Sequence, residues 1–210
     1  MTLELLLTGL LAASAAPQPV VSPRAQAGGT RHAPVIFGRV GWARFTDDEG
    51  SLGDGTSVGF GVIVPLTRRF GIQVAYDRHD HRRDFEPVGP LGATTSGGFS
   101  GTEQLVTAKA LFFFLAGHAV RPYAGIGVGF LDSRRVSEFP TFVFSPEGVP
   151  LPGPAEIFTY HTRGAGLGFA AGVDARVTDR ISVIGDLTLD LSSPDALGST
   201  RLTVGAGWRF

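Results

Sequence analysis

Residues 164–210, GAGLGFAAGVDARVTDRISVIGDLTLDLSSPDALGSTRLTVGAGWRF, carry the pattern from which the fold can be predicted. Within them apolar side chains take every second position of three successive segments, which start at Ala165, Ile181 and Leu202. Small or charged residues take the positions between. Because successive side chains of a β-strand point to opposite faces, this alternation predicts three strands with one face in an apolar medium.

The row of small residues indicates which medium the apolar face meets. In a soluble barrel that row, which includes Asp174, Asp186 and Asp190, would form the water-facing surface. Glycine is a poor residue there, because it carries an entropic cost and covers no neighbour. In a membrane barrel the aliphatic row faces lipid, and a narrow lumen takes small residues and a few charges. The pattern therefore favours a membrane barrel.

The same alternation occurs in five segments further upstream. They are residues 34–46, 56–65, 70–77, 102–115 and 123–130. The count of eight strands gives an all-β fold, an eight-stranded antiparallel up-and-down transmembrane β-barrel.

The predicted connections sort by length. Those after the second, fourth and sixth strands are short, at residues 66–69, 116–121 and 178–180. Those after the first, third and fifth are long or polar, at residues 47–55, 82–101 and 137–159, and the last, 193–199, is brief. Short turns at one end and long loops at the other are typical of outer-membrane barrels, with the short turns in the periplasm.

Length and composition bound the other possibilities. A chain of 210 residues predicts one sizeable domain, and a net charge of -1 gives no electrostatic reason to expect nucleic acid. The absence of cysteine excludes disulfides, a thiolate nucleophile and a cysteine-based metal site.

The amino-terminal residues have the pattern of a targeting segment. Residues 1–27 are predicted to be a signal peptide, since the apolar run 5–13 is too short to span a bilayer and small-residue cleavage sites follow it. Residues 1–4 lack Lys and Arg, so a disordered or helical extension is the alternative. Residues 28–33 are predicted to be a short linker and residues 34–210 the barrel.

Three segments together resemble a known family. Residues 122–130, 166–181 and 205–210, in that order, are similar to the small eight-stranded OmpA-like outer-membrane barrels, a resemblance that covers residues 34–210. It implies location in a bacterial outer membrane rather than a particular activity, and it implies that Trp208 and Phe210 form the carboxyl-terminal assembly signal. The implied partners are outer-membrane lipid, lipopolysaccharide and the barrel assembly machinery during insertion, and the implied state is a monomer.

Several charged residues fall on the small-residue row and are predicted to lie in the lumen. They are Arg39, Asp77, Lys109, Asp174, Arg176, Asp186, Asp190 and Arg209. Buried charges need partners, so we expect a polar network across the lumen, with Asp77 paired to Lys109 on the neighbouring strand. A connected network would plug the barrel, and a gated pore is the alternative.

Two histidine motifs allow other chemistry. His79 and His81 share a strand face and could hold Zn²⁺ with a carboxylate, although a third ligand is not assured. The alternative is a solvated strand extension above the bilayer, where Arg78 and its neighbours meet anionic head groups. His161 suggests the chemistry of lipid hydrolases, but the adjacent Thr162 points to the opposite face and cannot serve as its nucleophile.

Two further patterns have a structural interpretation. Residues 166–171 match the spacing of a dinucleotide-binding loop but are followed by a strand, whereas that motif requires a helix. The predicted interfacial aromatic girdle contains Phe70, Phe112, Phe114, Tyr123, Trp208 and Phe210 near the short turns, with Trp42, Tyr76 and Phe130 towards the long loops.

The sequence thus predicts a non-catalytic, structural or porin-like outer-membrane barrel without a cofactor. Its lumen is expected to be largely plugged and its loops available for surface interactions. A soluble periplasmic barrel that binds a small ligand is the first alternative, and a lipid-modifying barrel enzyme is the second.

Overall fold

The computed structural model describes residues 33–47, 50–86, 96–193 and 197–210. The predicted signal peptide, residues 1–27, and residues 28–32 of the predicted linker lie outside the described residues. Among the residues that the structure describes, no helix is long and apolar enough to cross a membrane.

The described residues form ten strands. They are β1 Val35–Asp47, β2 Gly50–Pro65, β3 Phe70–Phe85, β4 Gly97–Phe113, β5 Val120–Phe139, β6 Phe142–Phe144, β7 Pro150–Pro152, β8 Glu156–Arg176, β9 Ile181–Ser192 and β10 Leu197–Arg209. Eight of them close into a barrel in the order β1-β10-β9-β8-β5-β4-β3-β2, with every neighbouring pair antiparallel. The predicted fold class is confirmed.

The two rows of each strand face opposite media. Leu187, Val204 and Ile126 lie outside, with 51%, 56% and 55% of their surface exposed, whereas Asp186 and Asp190 are buried inside. We call the outward apolar residues around the barrel the apolar belt; one per strand is Val40, Val58, Val74, Val106, Val128, Leu167, Leu187 and Val204. An apolar surface this continuous requires lipid around it.

The barrel strands run further than the apolar pattern predicts. β2 starts at Gly50, β3 reaches Phe85 and β5 reaches Phe139, so parts of the predicted loops 47–55, 82–101 and 137–159 are strand. Beyond the belt the outward residues become polar, as at Arg78 and Asp132, while the backbone ladder continues. Apolar alternation therefore marks where lipid ends, and hydrogen bonding decides where the strand ends.

The two ends of the barrel differ as predicted. Three connections at one end are short, at residues 66–69, 114–119 and 177–180. The opposite end carries the strand extensions and a separate hairpin, β6 paired with β7, within the long predicted loop. Gly148 closes this hairpin with φ of 79°, a left-handed conformation that glycine adopts without steric cost.

Candidate functional site

Two clusters of buried apolar side chains lie in the lumen, one towards each end. The lower cluster, towards the short turns, contains Val35, Phe37, Ile63, Ala75, Leu111, Phe113, Tyr123 and Ile184. The upper cluster, towards the strand extensions, contains Ala43, Phe45, Leu52, Leu105, Leu131 and Leu197. Since the barrel is narrow, these side chains meet across it.

A charged network lies between the clusters. Asp77 accepts two hydrogen bonds from the Arg39 guanidinium, Nε to Oδ1 at 2.9 Å and Nη2 to Oδ2 at 2.6 Å. Arg39 Nη1 also donates to Asp186 Oδ2 at 2.7 Å. Asp77 forms a second ion pair with Arg201, Nη1 to Oδ2 at 2.8 Å. One buried carboxylate is thus shared by two guanidinium groups.

The network continues across the barrel. Arg201 bonds to Asp190, which also forms an ion pair with Lys109 Nζ at 3.1 Å. The Tyr123 hydroxyl donates a hydrogen bond to Asp186, the carboxylate that also accepts one from Arg39. Three cations thus face three carboxylates, and the contacts join six strands of the barrel. Buried charges with this many partners are held in one geometry.

A second charged cluster lies close to the short turns. Asp174 accepts hydrogen bonds from Arg209 Nη2 at 2.7 and 2.5 Å and another from Arg121. Asp174 and Arg209 are buried, and Arg121 is partly exposed and lies over the Phe113 ring at 4.7 Å. This cluster lies in the lumen on the short-turn side of the charged network.

Two expectations about the interior are wrong. Asp77 lies opposite Leu105 in the β3–β4 register and Lys109 lies opposite Gln73, so the expected pair between Asp77 and Lys109 does not form. Asp77 and Lys109 therefore lie four residues apart along the strand direction. The register between β3 and β4 sets this distance, and counting residues from the ends of the segments cannot reveal it. Arg176 is on the inward row, but it is the last residue of β8 and its side chain is exposed.

Arg201 is fully buried but is not among the predicted interior charges. The predicted last strand starts at Leu202, one residue too late to include Arg201. Extending its inward row, which contains Thr203 and Arg209, by one step towards the amino terminus reaches Arg201. The alternation of inward and outward positions is therefore sufficient to identify Arg201 as an inward residue.

Glycines on the inward row make room for the charges. A Cβ atom at Gly59 would overlap Asp77 Oδ1, and one at Gly168 would overlap Asp190 Oδ1 and crowd the Lys109 side chain. The charged side chains of the lumen therefore occupy space that glycine at these positions leaves open.

The two histidines of β3 lie inside the barrel. His79 and His81 are buried, and the Phe45 ring contacts both, with ring centroids 5.6 and 4.7 Å apart. The solvated extension expected for them is therefore wrong, because odd positions of β3 face the lumen. Glu103 lies directly opposite His79 in the sheet. Within the described residues no group of three or more His, Cys, Asp or Glu could hold a metal ion.

The outer face above the apolar belt carries a polar cluster. Asp132 accepts hydrogen bonds from His161 Nε2 at 2.8 Å and from Arg163 Nε at 2.7 Å. These two bonds, that of His161 first, lower the pKa of the Asp132 carboxyl. An open groove of about 470 Å³ beside them is lined by Arg78, Thr102, Gln104, Asp132, Arg134 and His161.

The predicted girdle is formed with one exception. Trp42, Phe70, Phe130, Trp208 and Phe210 are exposed on the outer surface. Tyr123 instead lies in the lumen with 2% of its surface exposed. Its position on the odd row of β5 faces inward, where its hydroxyl finds Asp186.

Four phenylalanines form a cluster on the lumen side of the strand extensions. Phe85 contacts Phe99 at 5.2 Å between ring centroids, Phe139 contacts both at 6.2 and 5.8 Å, and Phe158 contacts Phe139 at 5.8 Å. Phe139 and Phe158 keep 39% and 43% of their surface exposed. Solvent therefore reaches this cluster, which we call the aromatic wall, above the barrel mouth.

Solved structures share this architecture. Neisserial surface protein A has 16% identity and a TM-score of 0.59, over 84% of this chain and 97% of that one. A major outer membrane protein of Thermus thermophilus has 15% identity and a TM-score of 0.54, over 85% and 100%. OprG of Pseudomonas aeruginosa has 12% identity and a TM-score of 0.53, over 86% and 97%. At these identities the likeness concerns the fold alone, and among curated proteins none matches the chain.

A family model described as an outer membrane protein beta-barrel domain matches residues 5–210. The closed eight-stranded barrel, the outward apolar belt and the buried charges agree with that match. Membership of this family places the chain in the bacterial outer membrane, which excludes the soluble periplasmic alternative. The chain belongs to the outer membrane protein beta-barrel family.

Proposed function

We propose that this outer-membrane barrel is structural and non-catalytic, with a lumen that does not conduct. The observation that carries the proposal is the stacking of two apolar clusters on either side of a charge-balanced network. A cavity beside Glu103, Asp190 and Leu197 has about 20 Å³, room for roughly one water molecule. Moving an ion through the barrel would require separation of paired, desolvated charges, which is costly.

Conductance of the refolded protein in planar bilayers tests the closed lumen. We expect no steady single-channel steps in membranes that contain folded barrel, with insertion checked by the gel shift that appears only after boiling. Stable, unitary steps in most insertions would contradict the proposal and favour the gated pore.

A lipid-modifying enzyme is the competing function, and the pair of His161 and Asp132 is the observation in its favour. A carboxylate can orient a histidine base, but the base must also reach a nucleophile. Within the described residues His161 Nδ1 has no hydrogen-bond partner, and the nearby Thr102 hydroxyl donates to Asp80 at 2.7 Å instead. We expect no deacylation of outer-membrane lipid by the refolded protein. Activity that His161→Ala abolishes would overturn the non-catalytic assignment.

The partners we propose are outer-membrane lipid and lipopolysaccharide around the belt, and the assembly machinery at the carboxyl terminus. Arg134 is exposed beside the groove above the belt, where phosphates of the outer leaflet would lie. Trp208 and Phe210 are 45% and 72% exposed on the outer surface, accessible to a partner during insertion. Deletion of Phe210 is expected to lower the amount of assembled barrel in cells, while refolding in detergent is retained.

The strand extensions and the β6–β7 hairpin are the proposed surface for extracellular interactions. Val143 and Phe144 of the hairpin are 48% and 61% exposed, and Phe139 and Phe158 lie on β5 and β8, the two strands that flank the hairpin in the chain. Exposed apolar groups of this extent on a water-facing end are typical of contact surfaces.

A further inference from the structure

The two short turns β2–β3 and β8–β9 are built in the same way. In the first, Thr67 Oγ1 accepts hydrogen bonds from the backbone N–H groups of Arg69 and Phe70 at 3.2 and 3.0 Å. In the second, Thr178 Oγ1 accepts from Arg180 and Ile181 at the same two distances, 3.2 and 3.0 Å. The threonine hydroxyl fixes each turn locally.

Both turns are also anchored to the next strand in the same way. The carbonyl oxygen of Arg69 accepts a hydrogen bond from the Phe113 N–H at 2.8 Å, and that of Arg180 accepts one from the Arg209 N–H at 2.7 Å. The last turn position is therefore an arginine whose backbone is fixed on two sides. The barrel order places these two turns on opposite walls.

The described residues of the short turns carry mostly positive charge. Exposed arginines lie at positions 68, 69, 176 and 180, and Asp179 is the one exposed acid among residues 66–69, 114–121 and 176–180. The buried Asp174 is already occupied by Arg121 and Arg209. Within the described residues, none of the four exposed arginines has an ion pair.

Apolar side chains flank these arginines. Leu66 and Phe70 on either side of the first turn are 57% and 53% exposed, and Val177 and Ile181 beside the second are 63% and 40% exposed. Arg180 lies over the Trp208 ring, with 6.0 Å between its Cζ and the ring centroid. Tryptophan favours the boundary between lipid and water, so the guanidinium is held at head-group depth.

We propose that the two turns are paired binding sites for anionic glycerophospholipid, one on each wall, in the periplasmic leaflet. In barrels of this family the short turns face the periplasm. A guanidinium binds a phosphate by paired hydrogen bonds, and the flanking leucine, valine and phenylalanine contact the acyl chains. A cell-wall polymer fits less well, since the exposed apolar side chains would then stay in water. The inference deepens the proposed lipid contacts and does not depend on a closed lumen.

Fluorescence quenching by brominated lipids tests the second site. The Trp42→Phe protein keeps Trp208 as its only tryptophan, close to Arg180. In bilayers of phosphatidylcholine we expect brominated phosphatidylglycerol to quench Trp208 about threefold more than the same mole fraction of brominated phosphatidylcholine. Arg180→Gln is expected to remove this preference.

The first turn supplies the matched control. Arg69→Gln removes the same charge from the equivalent turn position on the opposite wall, so the preference at Trp208 is expected to stay. Phe70→Trp in a background without Trp42 and Trp208 reports on the first site. There Arg69→Gln should remove the preference and Arg180→Gln should leave it unchanged. The boiling-dependent gel shift verifies folding of each variant.

Equal quenching by the two lipids, or a preference at Trp208 that survives Arg180→Gln, would overturn the proposal. Co-sedimentation with purified peptidoglycan that depends on these arginines, without a lipid preference, would assign the turns to the cell wall instead and would also overturn it. Planar-bilayer conductance tests the closed lumen separately, so the two proposals can fail independently.

Discussion

Asp77 is the carboxylate that two buried guanidinium groups share, and its neutralisation should be costly. Asp77→Asn leaves Arg39 and Arg201 without their common counter-charge at a fully buried position. We expect a loss of about 3–5 kcal/mol in the free energy of unfolding, measured by urea titration in lipid vesicles.

Asp84→Asn is the control for this prediction. Asp84 pairs with Arg82 at 2.9 Å, but 67% of its side chain is exposed. An exposed pair is typically worth about 0–1 kcal/mol, so the change should be small. Equal effects of the two substitutions would show that the interior network does not stabilise the fold.

Asp132 gives a prediction about pH. Hydrogen bonds from His161 and Arg163 favour its charged form, so its pKa lies below the ordinary aspartate value of 3.8. Arg163→Gln should raise the midpoint of the Asp132 carboxyl resonance in an NMR titration, and Arg180→Gln, at the other end, should leave it unchanged. An unaltered midpoint after Arg163→Gln would mean that the two groups are apart in solution.

The alternation of the sequence predicts which charged residues face the lumen, but it does not predict which of them form pairs. The inward row correctly contains Arg39, Asp174 and Asp186. Pairing depends on the offset between strands, and Lys109 meets Asp190 from β9 rather than a residue of the neighbouring β3. A single sequence carries no direct record of that offset.

Along a single strand, position relative to the belt should determine the cost of a charge. Val128 and Val136 are both outward residues of β5, but Val128 lies in the apolar belt and Val136 lies beyond it, opposite Ser100 and Thr159. Val128→Arg is expected to lower the free energy of unfolding by about 2–4 kcal/mol in lipid vesicles. Val136→Arg is the matched control and should change it by about 0–1 kcal/mol. Similar costs at both positions would place the membrane boundary higher than the polar row indicates.

Strand number and strand order were predictable from the sequence, whereas strand length was not. The predicted fifth strand ended at Phe130, where lipid contact ends, but β5 continues to Phe139. The extension lies opposite residues 156–164 of β8, a partner that alternation could not identify because three of its four outward residues, Thr159, His161 and Arg163, are polar.

The complete barrel depends on closure between its first and last strands. Twelve residue pairs join β1 to β10. Deletion of residues 197–210 would leave the backbone N–H and C=O groups along one edge of β1 and of β9 without partners. Lipid offers these groups no hydrogen bonds. We expect this protein to lose the folded band that resists detergent until boiling. Replacement of residues 142–152, the β6–β7 hairpin outside the barrel, by a short Gly-Ser linker should retain that band.

The recurrence of the threonine-arginine turn bears on how the chain arose. Cut after β4, the barrel gives two sets of four strands, and in each set the repeated turn joins the second strand to the third. Duplication of an ancestral four-stranded gene would produce this correspondence. Residues 33–113 and 120–210, synthesised as separate polypeptides, should then still recognise each other and assemble.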